Sequence, residues 1–395
     1  MSPASQSPTP LEQPAITSTS RRRLSIGLPR CGDPAERRFP LTPEGAQMLV
    51  HQGFTIRMEH SAADSIHYAD NAYQRAGVQM CARGESLSCD IVMHLAPMSP
   101  DDIRRMRRGA MLFTLFSPGR QTPECINALL HRHILTVAID LIADERGNMP
   151  FADILAEIDG QAAITRAASL LADSVHGKGI LLGGVAGIVP CEVTVIGAGI
   201  AACAAARYAL GAGAQVRMFD HDVYRLREAE RTLGRGVVYS ALHPRILTKA
   251  LQSADVVIYT GIDPTPHFDS DTVDSMKRGV IIFDLTAQCG RAFPSLPPID
   301  LALASPLDIS LTEPSRACYV NAGSAVARTA AMALSNTFIT MLSRIVHCDG
   351  MTNAIRILPG LQRAVCTFMG KPVNADIAAI VGVRQVDINI YLTLS

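Results

Sequence analysis

The chain has 395 residues, of which 48% are hydrophobic and 18% charged, so it is long enough for two domains that each bury a core. Lysine plus arginine and aspartate plus glutamate both number 36, which argues against a surface for nucleic acid or anionic membranes. The ten cysteines form no C-x-x-C pair and indicate reduced, mostly buried thiols in a cytoplasmic protein, without a disulfide or metal framework. No apolar run reaches the ~18 residues of a membrane span, so we expect neither a membrane nor a nucleic-acid partner.

The first 23 residues predict a disordered tail, since they are rich in serine, proline and threonine and end in three arginines. A targeting peptide is the alternative, but the segment has no apolar stretch and no amphipathic period. Ordered structure is expected to begin with a short strand at residues 24–28. A helix then begins at Pro43, because Thr42 is a good N-cap and proline fits the first helical position.

Strands and helices alternate from there to about residue 139. Short apolar runs rich in β-branched residues predict buried strands, and the segments between them have helical patterns. This alternation predicts a first doubly wound α/β region. The predicted strands cover residues 54–58, 90–95, 110–114 and 135–139, and the predicted helices cover residues 100–106 and 123–130.

Two long, alanine-rich segments predict helices that join two domains. The first, at residues 154–175, is followed by a glycine-rich connector at 177–187. The second, at residues 325–342, is expected to return the chain to the first domain, where the C-terminal residues also pack. Between them we predict strands at 236–239, 255–259 and 280–284 and a proline-rich loop at 293–314.

A glycine motif lies at the start of this second region. An apolar strand at 193–196 leads into G-A-G-I-A-A, with Gly197, Gly199 and Ala202 at the key positions, then a helix, a second strand and Asp220. The first glycine permits a tight turn, the second lets the backbone approach a pyrophosphate, and the small third residue allows close packing of helix on strand. The helix N-terminus offers free N–H groups to the phosphates. Asp220 follows Gly197 by 23 positions, close to the ~20 expected for a carboxylate on the adenosine ribose.

This arrangement predicts a dinucleotide site, with a purely structural glycine turn as the alternative. The acid favours NAD over NADP, because a 2′-phosphate would lie against a carboxylate. The cofactor contacts predicted from the motif are Gly197, Gly199, Ile200, Ala202 and Asp220.

Several segments together resemble alanine dehydrogenase and the related nucleotide-binding part of proton-translocating transhydrogenase. The resemblance covers about residues 22–375 and implies two Rossmann-like domains, NAD as cofactor, a small amino acid or 2-oxo acid as substrate, and a homo-oligomer. It implies that an NAD-binding domain at 154–328 is inserted into a substrate domain made of 24–153 and 329–395. It adds Arg225 and Asn321 to the cofactor residues. The segments are RFPLTPE from Arg38, KGILLGGVAG from Lys178, the glycine motif, FDHDVYRLR from Phe219, VNAGSAVARTA from Val320 and ALSN from Ala333.

The resemblance also implies four catalytic positions, where the family uses an arginine, a lysine, a histidine and an aspartate. Arg38 matches the arginine, whose planar guanidinium binds a carboxylate in two places. The lysine position is His94, which titrates near neutrality. The histidine position is Ser117, which cannot move a proton without a base beside it, and the aspartate position is the uncharged Gln288. A cofactor-binding serine of the family is replaced by Ala156.

Three hypotheses remain from the sequence. The first is an NAD-dependent oxidoreductase like alanine dehydrogenase, with Arg38 as carboxylate anchor, His94 as acid–base group or electrophile, and Gln288 as an orienting group. The second is an NAD-binding protein of the same family with impaired catalysis, which rests on His94, Ser117, Gln288 and Ala156 at the family's functional positions. For two single residues simpler alternatives also remain, a solvated loop arginine at Arg38 and a hydrogen-bonded histidine at a strand end for His94. The third is a soluble transhydrogenase subunit, against which the absence of a following membrane segment speaks.

Overall fold

The structure is a computed structural model that describes residues 23–287, 290–303, 316–346, 353, 355–356 and 358–394. Two sheets organise these residues, and helices cover both faces of each sheet. The strands are β1 Ser25–Leu28, β2 Thr55–Glu59, β3 Gln79–Cys81, β4 Ile91–Met93, β5 Met111–Thr114, β6 Leu135–Ala138, β7 Glu192–Ile196, β8 Gln215–Asp220, β9 Val237–Ala241, β10 Val256–Tyr259, β11 Ile281–Asp284, β12 Pro298–Asp300, β13 Ala317–Val320, β14 Val365–Phe368 and β15 Lys371–Pro372.

The helices connect these strands and pack on their faces. They are α1 Pro43–His51, α2 Asp70–Arg75, α3 Arg83–Leu87, α4 Pro100–Arg105, α5 Pro123–His131, α6 Pro150–Ala172, α7 Ile200–Gly211, α8 Val223–Leu233, α9 Pro244–Ser253, α10 Ser270–Ser275, α11 Ala322–Ala325, α12 Ala327–Val346, α13 Pro359–Arg363, α14 Ala375–Ile380 and α15 Ile388–Leu394.

The first sheet has the order β15-β14-β6-β5-β4-β1-β2-β3 and the second the order β12-β13-β11-β10-β7-β8-β9. Neighbouring strands are parallel except at one edge of the first sheet, where β14 pairs antiparallel with both β6 and β15. The chain passes from the first sheet to the second and back again, so the prediction of two doubly wound domains is confirmed.

Helix α6 packs into the cores of both domains. Phe151 and Leu155, near its start, belong to the core of the first domain, whereas Ala163 and Ala167 belong to the core of the second. Between them, a Cβ at Gly160 would lie 2.2 Å from the carbonyl oxygen of Ala201, so the backbones of α6 and α7 are in direct contact. The helix begins four residues earlier than the predicted residue 154, because Pro150 takes its first position.

Helix α12 returns the chain to the first domain, as predicted, and buries Leu334, Phe338 and Leu342 in its core. Five short strands were not predicted, and one of them, β12, lies inside the segment expected to be a loop. They are β3, β12, β13, β14 and β15. The domain limits given above stay predictions.

Each sheet reverses its strand order at one point, between β1 and β4 in the first sheet and between β7 and β10 in the second. In sheets of this kind the crevice at such a point, at the carboxyl ends of the strands, is where ligands bind. The predicted site residues of both domains follow these carboxyl ends.

Candidate functional site

The glycine turn follows β7 and has the geometry that its sequence predicts. Gly197 has a φ of +112°, and a Cβ there would lie 2.1 Å from the hydroxyl oxygen of Thr260, so only glycine fits. Gly199 is the N-cap of α7, and no atom lies within 4 Å of the position of an added Cβ. Ile200 is exposed, whereas Ala202 is fully buried against the sheet. The turn therefore leaves open space in front of the unpaired N–H groups at the start of a twelve-residue helix.

Asp220 ends β8, as predicted, and is completely buried. Its Oδ2 accepts a hydrogen bond from the Ala198 N–H and its Oδ1 one from the Asp222 N–H, both at 2.8 Å. His221 Nδ1 lies 3.2 Å from the same Oδ1. The carboxylate thus fixes the glycine turn against the next loop, a role that the sequence did not reveal. A carboxylate has about four acceptor positions, so these contacts do not use all of them, although the side chain has no exposed surface in this structure.

An apolar cavity of about 450 Å³ lies beside His221. Its walls come from the loops that follow β9 and β10 and from α9, none of which the motif analysis had singled out. Its size and lining suit a flat heteroaromatic ring such as a purine. The side chains that form it include Leu242, Leu247, Leu251, Ile262, Pro264 and Phe268.

The two remaining predicted cofactor residues have other contacts. Arg225 is exposed on α8, with its Nε 3.8 Å from Asp222 Oδ2. Asn321 follows β13 with a φ of +61°, and its Nδ2 donates to the Ala35 carbonyl oxygen at 2.7 Å and to Asp300 Oδ1 at 3.2 Å. Asn321 therefore links the second domain to the loop that follows β1 in the first.

This loop carries Arg38 to the junction of the two domains. The hydroxyl of Ser324 accepts from the Arg37 N–H at 3.0 Å and donates to the Ala35 carbonyl at 3.0 Å. The Gly323 N–H donates to Asp159 Oδ1, on α6, at 2.8 Å. The segment before Arg38 is thus held by the second domain.

Arg38 is a well-fixed, mostly buried cation. Its Nε donates to Glu36 Oε1 at 2.8 Å and its Nη2 to Glu36 Oε2 at 2.5 Å. Burial lowers the pKa of Arg38, because it disfavours the charged guanidinium. The negative charges of Glu36, Asp159 and Asp140 together outweigh burial, so the pKa of Arg38 is raised. The hypothesis of a freely solvated loop arginine is therefore wrong for this side chain. Sequence reasoning missed all three acids, although Glu36 stands only two residues away.

His94 follows β4 and is buried. Its Nδ1 lies 2.7 Å from the carbonyl oxygen of Ala96, which can only accept, so Nδ1 carries the proton and Nε2 is an acceptor. Burial lowers the pKa of the imidazole, and the charge of Arg83 adds to this effect. The ring lines a polar cavity of about 410 Å³ together with Arg83 and Asp102, which form an ion pair with Nη2 to Oδ2 at 2.7 Å. His94 is thus both hydrogen-bonded at a strand end and in contact with a cavity.

Ser117 follows β5, the next strand of the sheet, and within the described residues its hydroxyl has no hydrogen-bond partner. The preceding residue, Phe116, donates its N–H to Oδ1 of Asp140 at 2.6 Å. Asp140 follows β6 and is partly buried, and burial raises its pKa to about 6, against the hydrogen bond from Phe116 and the charge of Arg38. An acid directly after a buried strand was the signal that could have found it. Gln288 lies outside the described residues.

Arg38, His94, Ser117 and Asp140 therefore all follow the carboxyl ends of neighbouring strands of the first sheet. In the part of the chain that the structure describes, no group of three or more His, Cys, Asp or Glu side chains is arranged to hold a metal ion. In the same part, no helix is long and apolar enough to span a membrane.

Comparisons with known proteins agree with this architecture. The protein-family model for the N-terminal domain of alanine dehydrogenase/PNT matches residues 27–159, and the family model for its C-terminal domain matches residues 163–375. Alanine dehydrogenase from Mycolicibacterium smegmatis is 27% identical over 361 residues, which cover 90% of this chain and 96% of that protein. Alanine dehydrogenase from Mycobacterium tuberculosis is 27% identical over 368 residues, which cover 91% of this chain and 97% of that protein.

Two solved structures have the same fold. An L-alanine dehydrogenase superposes with a TM-score of 0.79 at 24% identity and covers 91% of this chain and 99% of its own. A transhydrogenase from Sinorhizobium meliloti superposes with a TM-score of 0.71 at 20% identity and covers 89% of this chain and 99% of its own.

Proposed function

Because the chain belongs to the alanine dehydrogenase/PNT family, we propose that it is an NAD-dependent oxidoreductase that interconverts a small amino acid with its 2-oxo acid and ammonium. The observation that carries the proposal is Arg38, a buried guanidinium fixed at the junction of the two domains. A guanidinium in such a place is suited to a substrate carboxylate.

The second domain fits NAD. The open space in front of Gly199 and the free N–H groups of α7 suit a pyrophosphate, and the cavity beside His221 suits the adenine ring. Asp220, which the motif assigns to the adenosine ribose, lies 3.2 Å through Oδ1 from Nδ1 of His221 at the edge of that cavity. When bound, NAD accepts or returns a hydride at its nicotinamide ring.

The first domain supplies groups for the substrate. Glu36 engages Nε and Nη2 of Arg38 and holds the guanidinium in one orientation, with Nη1 available for the substrate carboxylate. His94 has an unprotonated Nε2 and a lowered pKa, which favours a proton acceptor over an electrophile. We assign it to the nitrogen of the substrate, whose ammonium form must lose a proton before hydride can leave Cα.

A second candidate function is NAD binding without turnover. It is favoured by Ser117, whose hydroxyl has no hydrogen-bond partner among the described residues, at the position where the resemblance implies a histidine. The two candidates differ in activity and agree in cofactor binding.

The test combines turnover with binding. NADH oxidation is measured with ammonium and a panel of 2-oxo acids, and NADH affinity is measured by calorimetry. For Arg38→Ala we expect turnover to fall at least about 100-fold, because a charged hydrogen-bonded contact is lost, with the NADH Kd unchanged. Arg37→Ala is the matched control, since Arg37 is exposed and contributes only its backbone N–H to the junction. NADH binding with no turnover of any 2-oxo acid would support the second candidate, and full activity of Arg38→Ala would remove the proposed anchor.

We also propose that the protein is a homo-oligomer. Large apolar side chains are exposed on and around the glycine-rich connector, which a partner copy would cover. Light scattering after gel filtration tests this, and a monomeric mass at micromolar concentration would contradict it. These side chains are Val175, Leu181, Ile188 and Val189.

A further inference from the structure

We infer that Asp140 is the acid–base group that exchanges a proton with the oxygen on the substrate carbon, in place of the histidine that the family has at position 117. The inference rests on the proposed function, because it assigns a role within that reaction.

The placement of Asp140 is the first argument. Strands β6, β5, β4 and β1 are consecutive neighbours in the first sheet. Asp140 follows β6 and His94 follows β4, so both residues lie at the carboxyl-end edge of the same sheet. One carboxyl oxygen, Oδ1, is fixed by the Phe116 N–H at 2.6 Å, so the carboxyl group is held against the segment that contains Ser117. Within the described residues Oδ2 has no hydrogen-bond partner and remains available for proton exchange.

The other acids near Arg38 are less suited to this role. Both oxygens of Glu36 are engaged by the guanidinium. Asp159 is bound through Oδ1 to the Gly323 N–H and secures the contact between the domains. Asp140 alone of these three combines a free oxygen with a position beside the segment of Ser117.

The charges around Asp140 allow it to exchange a proton near neutrality. Burial raises its pKa to about 6, while the Phe116 N–H and the guanidinium of Arg38 hold the pKa below the value that burial alone would give. The buried thiol of Cys366, on β14, also faces it, and Asp140 contributes to raising the pKa of that thiol. The thiol is therefore neutral and does not compete for the proton.

The proton balance of the reaction requires such a group. In the reductive direction one 2-oxo acid, one ammonium ion, one NADH and one proton give one amino acid, one NAD and one water. Ammonium loses a proton to His94, and the resulting ammonia adds to the carbonyl carbon. The C–N bond forms as the π electrons of the C=O bond move to oxygen, and one N–H proton then passes to that oxygen, which becomes a hydroxyl group. Asp140 then gives its proton to the hydroxyl oxygen, the C–O bond breaks and water leaves. The carbon accepts the hydride with its two electrons, the new amine regains a proton, and Asp140 is reprotonated from solvent.

Asp140→Asn, Asp140→Glu and Asp144→Asn test the assignment. Asparagine keeps an acceptor for the Phe116 N–H but cannot give a proton, so we expect reductive turnover to fall 10²–10⁴-fold. We expect kcat/KM of the wild type to decrease as pH rises through about 6, and this decrease to be absent in Asp140→Asn. Asp140→Glu should keep that pH dependence. Asp144→Asn alters a partly exposed acid whose side chain bonds only within the following loop, to Arg146 and Asn148, and should behave as wild type. An unchanged pH profile in Asp140→Asn would overturn the inference while the proposed function stands.

A second measurement does not depend on turnover. The ¹³C carboxyl resonance of Asp140, identified by its loss in Asp140→Asn, is titrated with NAD and pyruvate together, a mixture without ammonium that cannot react. We expect the midpoint to move when pyruvate is added, and to stay fixed in Arg38→Ala. A midpoint insensitive to pyruvate in the wild type would refute the assignment. If the midpoint moves but no 2-oxo acid is turned over, the proposed function fails and the position of Asp140 in the substrate site survives.

Discussion

Alanine substitutions at Gly197 and Gly199 separate the folding role of the glycine turn from its binding role. Gly197 has a φ of +112° and its Cβ would lie 2.1 Å from Thr260 Oγ1. A non-glycine residue in such a conformation costs about 1–3 kcal/mol, and forcing an atom into packed surroundings costs about 1–3 kcal/mol more. We therefore expect Gly197→Ala to lose about 2–6 kcal/mol of stability and roughly 5–20 °C in Tm.

Gly199→Ala should have the opposite effects: little change in stability and weaker binding of NADH. Its φ is −79° and no atom lies within 4 Å of the new Cβ, so the Tm should change by less than about 2 °C. The methyl group would, however, occupy the space in front of α7 that we assign to the pyrophosphate. A clash of about 1–3 kcal/mol weakens NADH binding about 5–150-fold.

Scanning calorimetry without cofactor gives the two Tm values, and isothermal titration with NADH gives the two affinities below the melting range. Wild-type affinity in Gly199→Ala would mean that the pyrophosphate does not lie at the start of α7. A wild-type Tm in Gly197→Ala would mean that the turn relaxes at no cost, and the steric argument would be wrong.

Three further predictions concern the dependence of stability on pH. Burial raises the pKa of Asp255, but the hydrogen bonds from Lys277 and Lys178 outweigh it, so the folded pKa is lowered and the stabilisation is lost as pH falls through that lowered value. Asp255→Asn should cost about 1–3 kcal/mol at pH 7 by urea unfolding, and this cost should shrink as pH falls below the normal range of aspartate. Burial lowers the pKa of His94, so the wild type should lose stability as pH falls below about 6.5, the pKa of histidine in the unfolded chain. Calorimetry from pH 8 to pH 5 should show a smaller loss of stability for His94→Asn. Burial raises the folded pKa of Asp140 to about 6, so the fold should lose stability as pH rises from about 4 to about 6, with the full loss present above that range. Thermal melts should therefore place the Tm of Asp140→Asn above wild type at pH 8 and level with it at pH 4.

Local signals in the sequence predicted much of the fold. Thr42 accepts a hydrogen bond from the Gly45 N–H at 3.2 Å at the start of α1, as the T-P-E-G sequence indicates. Most of the buried parallel strands were recognisable as short apolar runs, whereas the buried strand β13 was not predicted. Strand β14 was not, because four residues give no clear period and its partner β6 lies more than 200 residues earlier in the chain. Only the packed structure brings the Thr367 hydroxyl to the Ile134 carbonyl, at 2.8 Å.

The candidate site was predictable only where one motif contains all its parts. The glycine turn is such a motif, and its backbone conformation agrees with its sequence. Asp220 was expected from the same motif, yet its two hydrogen bonds to backbone N–H groups depend on how two loops meet. Arg38 was identified by its neighbours in sequence, whereas two of the acids around it come from distant elements: Asp140 from the turn after β6, and Asp159 from α6. Sequence spacing cannot reveal a charge environment that tertiary packing creates.

That environment has a consequence for how the site would work. Arg38 already balances the charges of Glu36, Asp159 and Asp140. A substrate carboxylate at the same guanidinium adds a further negative charge and competes for the cation that favours ionised Asp140. Substrate binding should therefore raise the pKa of Asp140, which is the direction of the midpoint shift expected with pyruvate. A group that becomes a proton donor only when the 2-oxo acid is bound is suited to expel water from the substrate carbon. In this way Asp140 would take the place of the histidine that the resemblance implies at the position of Ser117.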